Sequence, residues 1–191
     1  MNQNAMVLML MLMGLVLAGC AGPPLRLYTL SDAADPADPP GSIRQVSPVI
    51  RVDRVILPGY LDTQDILVRS GHVLERSPTG RWATRLSIAA TELLRERLAM
   101  RRPDALVTDQ SEGGAYDYEI RVDVSELDVM SSGEAILAAD WQIRRRAGAA
   151  AIRRRLRLVR RGSVATDASV VELEAMLFDQ LADAIDITSL H

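Results

Sequence analysis

The sequence predicts an α+β domain, a mainly antiparallel sheet with two helices packed on one face, behind an N-terminal lipoprotein-type signal segment. Three observations predict it. Apolar and polar residues alternate over Tyr118–Val124 and again over Ala135–Ile143, the period of a half-buried strand. From Trp82 to Leu98 and from Val170 to Ile185 apolar residues recur at three and four instead, the spacing of a helix with one buried stripe. The elements arrive as strands, helix, strands, helix, which suits an α+β layering rather than a βαβ series. With 191 residues, 48% of them hydrophobic, the chain is long enough for one domain with a real core. Aromatics make up only 4%, so that core has to be aliphatic.

Taken in order, Ala5–Ala18 is a run of Met, Leu, Val and Ala broken by one Gly. It is short of the ~20 residues a membrane span needs and fits the apolar region of a secretory signal. The run ends at Leu17-Ala18-Gly19-Cys20, small residues directly before the only cysteine of the chain. These residues look like a bacterial lipobox, in which the cysteine is acylated and becomes the new N-terminus. Residues 1–19 therefore read as a lipoprotein signal peptide, 20–24 as a lipidated tether and 25–191 as a single domain. Met1-Asn2-Gln3-Asn4 departs from the usual pattern in carrying no Lys or Arg. With its one cysteine at the lipid site, the domain has no disulfide to draw on. The tether reaches at most ~14 Å, which keeps the domain close to the bilayer.

Leu25–Leu30 alternates as a strand, and Ser31–Pro48 is a loop rich in Pro, Asp, Ala and Gly. Asp32, Asp35 and Asp38 recur in that loop without the glycine turn and closing glutamate of a calcium loop, so it reads as a solvated spacer. Val49–Leu57 is a strand whose apolar phase switches at Asp53-Arg54, the mark of a bulge. Asp65–Arg69, a Ser70-Gly71 turn and His72–Ser77 form a hairpin, and Ser77-Pro78-Thr79-Gly80 reads as a break before a helix over Arg81–Met100. Ala105–Thr108 is a short strand. A meander follows, with a phase shift at Glu126 and turns at Ser131-Ser132-Gly133 and near Gly148. Ser169-Val170-Val171-Glu172 has the form of a capping box opening a second helix to about Ile187.

Catalytic chemistry lacks its parts. The histidines are His72 and His191, so neither a zinc site nor a Ser-His-Asp arrangement is assembled. All 22 basic residues are arginine, and a phosphate-binding loop that needs lysine is excluded. The expectation is a protein that is not an enzyme and takes no cofactor or metal. The unusual feature is basic: nine arginines and no acidic residue lie between Arg144 and Arg161, so the rest carries −12 to reach the net −3. Arg145, Arg146, Arg153, Arg154 and Arg155 flank a predicted hairpin turn. They suit contact with lipid headgroups or an acidic partner, or pairing across strands with Asp117, Glu119, Asp123 and Asp128. Nucleic acid is not an expected partner for an exported chain.

Val49-Ile50-Arg51-Val52-Asp53-Arg54-Val55-Ile56-Leu57-Pro58-Gly59-Tyr60-Leu61-Asp62, followed by Asp65-Ile66-Leu67-Val68-Arg69, resembles the signature of the PqiC-like ABC-type transport auxiliary lipoproteins. Tyr28-Thr29-Leu30, Arg81-Trp82 and an Ala/Leu-rich closing helix keep the family's order. The arginine-rich hairpin is not part of that likeness. The resemblance implies a periplasm-facing accessory subunit, acting by docking, of a system in which an MCE-domain protein and an ABC permease move phospholipids between two membranes. It implies that Cys20 carries the anchor, that Ala21 behind it permits export to the outer membrane, and that Leu57–Asp62 is a shape-holding turn with Gly59 free to take positive φ. A homo-oligomer stays open, as does an outer-membrane assembly or secretion scaffold without a part in lipid transport.

Overall fold

The computed structural model describes residues 23–31, 48–109, 115–146, 148, 151–188 and 190. The signal segment with Cys20, the Asp32–Asp38 repeat and His191 lie outside the described residues. Among the described residues eight strands and two helices follow one another: β1 (Arg26–Tyr28), β2 (Val49–Val52), β3 (Asp65–Ser70), β4 (Val73–Trp82), α1 (Leu86–Arg101), β5 (Leu106–Thr108), β6 (Tyr118–Val129), β7 (Glu134–Arg145), β8 (Ile152–Arg161) and α2 (Asp167–Ala184). The α+β architecture agrees with the sequence. The strands divide into two sheets, β1-β4-β3 and β5-β2-β6-β7-β8. Their long ladders, β6 with β7 and β7 with β8, are antiparallel. The parallel pairs of β1 with β4 and of β2 with β5 and β6 join three residues each.

Alternation decides which face is buried. Ile50 and Val52 of β2, Ile120, Val122 and Val124 of β6, and Leu137 and Ala139 of β7 point into one core with Leu93, Leu94 and Leu98 of α1 and Leu177, Phe178 and Leu181 of α2. Burying each such side chain contributes about 1.5–3 kcal/mol, and ten or so of them stand in for the missing aromatics. Both phase switches appear as irregularities. The β6–β7 register shifts between Val124 and Glu126, which turns Leu127 inward. After Val52 the ladder lapses and Val55 drops into the core, its N–H donating to Thr91 Oγ1 of α1 at 2.9 Å.

Two boundaries differ from expectation. Ser77–Gly80 is a bulge inside β4, where the partners of β3 jump from Arg76 to Arg81. Ser77 Oγ accepts from the N–H groups of Thr79 and Gly80, at 3.1 and 2.9 Å, so the loop's backbone is satisfied within the strand. Arg81 and Trp82 consequently belong to β4, held between Leu27 and Tyr28 on one side and Asp65 on the other, and α1 starts only at Leu86. The α2 capping box lies three residues earlier than expected. Ser169 N–H donates to Thr166 Oγ1 and Thr166 N–H to Ser169 Oγ, both at 3.2 Å, so Ser169 is the reciprocal partner and Thr166 the cap.

Candidate functional site

The outer face of the five-stranded sheet carries the charge. Outward positions of β7 and β8 stand opposite each other, which sets Asp140 against Arg155 and Glu134 against Arg161. Arg155 Nε lies 2.6 Å from Asp140 Oδ1, and Arg161 lies 3.0 Å from Glu134. Arg157 reaches Glu126 at 3.2 Å across the narrow Ala138 position. The hydrogen bond from Arg155 holds the Asp140 carboxyl below the usual carboxylate range. On β6, buried Glu119 accepts from Arg51 and from Arg144. Burial pushes the Glu119 carboxyl up, but the two guanidinium groups outweigh it and hold the group ionised. Arg51 also pairs with Asp53 at 3.1 Å, and Asp53 with Arg121 at 3.0 Å, so the network crosses from β7 to the bulge after β2.

Pairing stops at the β7–β8 tip. Among the described residues, Arg145, Arg146, Arg153 and Arg154 make no ion pair with a carboxylate. Arg145 stacks 5.8 Å from the Tyr118 ring centre and Arg146 5.3 Å from that of Tyr116. Such stacking fixes a guanidinium without cancelling its charge. A groove of about 520 Å³ opens beside them between Arg121, Asp123, Asp140, Gln142, Arg153 and Arg155. The five arginines singled out from sequence thus gather at one end of the sheet, and Arg155 alone of the five is neutralised. The expected acidic partners are corrected in part. Glu119 does take an arginine of this stretch, but Asp117 Oδ2 accepts from Val49 N–H at 2.8 Å and Asp128 pairs with Arg69 at 2.8 Å. The reason is register: β7 lies between β6 and β8, so the carboxylates nearest β8 are those of β7.

The Leu57–Asp62 segment does a different job. Pro58 C=O accepts from the N–H groups of Leu61 and Asp62 at 2.8 and 3.3 Å, and Leu61 turns into the core. Asp62 Oδ1 then accepts from Ser87 N–H at 3.4 Å, while Arg85 at the N-cap of α1 supplies no capping side chain of its own. The turn therefore caps a distant helix. The positive-φ glycines among the described residues are Gly71, Gly133 and Gly148, so the turn does not use the conformational freedom that Gly59 offers. The turn also borders a small void lined by Leu61, Trp82, Leu127, Arg69, Asp128 and Glu174. Arg69 Nε and Glu174 Oε2 find no hydrogen-bond partner there. Burial pushes the Glu174 carboxyl up to about 8. Sequence reading passed over Glu174, although it falls four residues after Val170 and three before Leu177, on the buried stripe.

Among the described residues no group of His, Cys, Asp and Glu is placed to hold a metal ion, and no helix is long and apolar enough to cross a membrane. His72 is exposed in the β3–β4 turn, and the order at Cys20 lies outside the described residues.

An α+β domain of this two-sheet form is found in solved structures. A crystal structure of an uncharacterised protein superimposes with a TM-score of 0.66 at 17% identity, over 84% of this chain and 95% of that one. Protein XCC0632 from Xanthomonas campestris does so with a TM-score of 0.58 at 18% identity, over 84% and 88%. No curated protein matches the sequence. The family described as the ABC-type transport auxiliary lipoprotein component matches residues 28–186, and the chain belongs to that family. It is accordingly an auxiliary component of a transport system of the cell envelope, and the residues matched run from β1 to just beyond α2.

Proposed function

We propose that the chain is a lipid-anchored accessory subunit of an MCE/ABC-type intermembrane lipid transport system, held in the outer membrane through acylated Cys20 and facing the periplasm. It acts by docking and scaffolding and carries out no chemistry of its own. The observation that carries this is the family match across residues 28–186, nearly the whole of the expected mature domain. The outer face of the sheet suits a scaffold, because ion pairs between neighbouring strands, Asp140 with Arg155 and Glu134 with Arg161, tie its strands together. Arg145, Arg146, Arg153, Arg154 and Arg155 are the contact residues, toward headgroups or a partner. The test is affinity purification of the full-length lipoprotein from detergent-solubilised envelopes. Recovery of an MCE-domain protein with its permease is expected. An eluate lacking both, with the bait intact, sinks the transport reading.

A further inference from the structure

The arginine cluster at the end of β7 and the start of β8 sits far from the tether. Pro23, Pro24, Arg26 and Tyr28 border the same surface hollow as Thr79, Ala165, Thr166 and Asp167, beside the N-terminus of α2. The far end of β8 lies there too: Gly162 N–H, just past Arg161, donates to Gly133 C=O of the β6–β7 turn at 2.9 Å. β8 runs from that end to Ile152 at the opposite one. Ten extended residues cover about 30 Å, twice the reach of the tether. With the tether end at its own membrane, the β7–β8 tip is directed away from it.

At that tip, Ile152 is 42% exposed. Arg154 shares its face of β8, Arg153 lies on the opposite face, and Arg145 and Arg146 follow at the end of β7; none of the four has a carboxylate partner among the described residues. The inward phase of the sheet also runs out of cover here, since Ile152 opposite Ile143 and Arg154 opposite Trp141 lie beyond the half of β8 whose Leu156 and Leu158 pack on the core. An exposed isoleucine at a sheet end that also carries four arginines, two of them stacked on tyrosines, has the residue types enriched at protein interfaces. Lipid headgroups would draw such charge toward the anchoring bilayer, which the placement of the tether opposes.

We infer that Arg145 and Arg146 at the end of β7 and Ile152, Arg153 and Arg154 at the start of β8 form the docking surface for an acidic face of a protein partner, presented on the side of the domain remote from the anchoring membrane. The placement of the tether rests on the proposed lipid anchor. The four guanidinium groups meet carboxylates across the interface, Ile152 packs against an apolar part of the partner beside them, and the free charge speeds encounter in a salt-dependent way.

The experiment places p-benzoylphenylalanine at Ile152 in the full-length lipoprotein, irradiates intact cells, and identifies each adduct and its contact peptide by mass spectrometry. The same residue at exposed Met176 of α2 is the control. An adduct from Ile152 to an acidic segment of one protein, absent from Met176 and reduced about tenfold or more by Arg153→Glu with Arg154→Glu, is the expected result. If that protein is an MCE-domain protein, the functional reading is supported as well. If it is another envelope protein, the docking surface holds and the transport reading falls. Adducts to phospholipid, no adduct with the protein present at wild-type level, or an adduct indifferent to both charge reversals overturns the inference.

Discussion

Glu174 sits in a setting that opposes its own charge. It is buried on α2 against a void whose other walls include Leu61, Trp82 and Leu127, and one carboxyl oxygen has no hydrogen-bond partner. The group stays protonated up to about pH 8, whereas in the unfolded chain it ionises near its ordinary value of 4.5. Between those values the folded state binds the extra proton, so stability is full at low pH and declines as pH rises through that window. At about 1.36 kcal/mol per unit, the loss by pH 7 is of the order of 3 kcal/mol. Glu174→Gln keeps the shape and removes the titration. Urea unfolding from about pH 5 to about pH 8 should show wild-type stability falling with pH and the variant's staying level, the variant being the more stable above neutrality. Parallel curves for the two proteins would mean that Glu174 finds a compensating partner. Glu119 shows the opposite balance: equally inaccessible, it is kept ionised by Arg51 and Arg144. Burial alone settles neither case; the presence of a cation within hydrogen-bonding reach does.

At the scale of elements, the β6–β7 turn is where backbone geometry tolerates least. Gly133 has φ +87°, and a Cβ there would press on the carbonyl oxygen of Gly162, whose own N–H donates back to Gly133. Gly71 in the β3–β4 turn has φ +59° with open space around it. Both alanine variants incur the left-handed penalty of about 1–2 kcal/mol. Gly133→Ala must also displace the strand end that leads from β8 into α2, so its loss should exceed that of Gly71→Ala by a further 1 kcal/mol or so. Urea midpoints of the two variants check this, and equal losses would show that the Gly162 segment yields freely. The two turns also show what could be read in advance. Both were legible because glycine marks them and flanking alternation fixes their register. The start of α1 was not legible: Trp82 satisfies the helical stripe and the strand period equally, and only pairing of Arg81 and Trp82 with Leu27 and Tyr28, some fifty residues away, selects the strand. Asp62, as a cap for Ser87, is hidden for the same reason, since local patterns carry no long-range hydrogen bonds.

For the whole molecule, the proposed anchor at Cys20 and the arginine tip define one axis, and only half of it was visible beforehand. Arg153 to Arg155 announced a basic cluster by composition alone, while its distance from Pro23 and the choice of Asp140 and Glu134 as partners depend on strand order. That order matters for what the anchor does. A soluble domain would present its tip in every direction, whereas one held at Pro23 within about 14 Å of a bilayer presents it away from that membrane. If Cys20 carries the proposed anchor, Cys20→Ser should move the protein from the membrane pellet to the soluble envelope fraction, since stable anchoring needs more than one chain. The fold should be unaffected, because among the described residues the buried core begins at Leu30, with Tyr28 packed against it. Far-ultraviolet circular dichroism and urea unfolding of the released protein should match those of the detergent-solubilised parent. On the proposed transport role, lipid movement should fall even though the tip remains intact, because the loss is one of orientation and local concentration. A variant that leaves the membrane and still supports full transport would show that Cys20 serves only in sorting, and that the axis from tether to tip has no part in function.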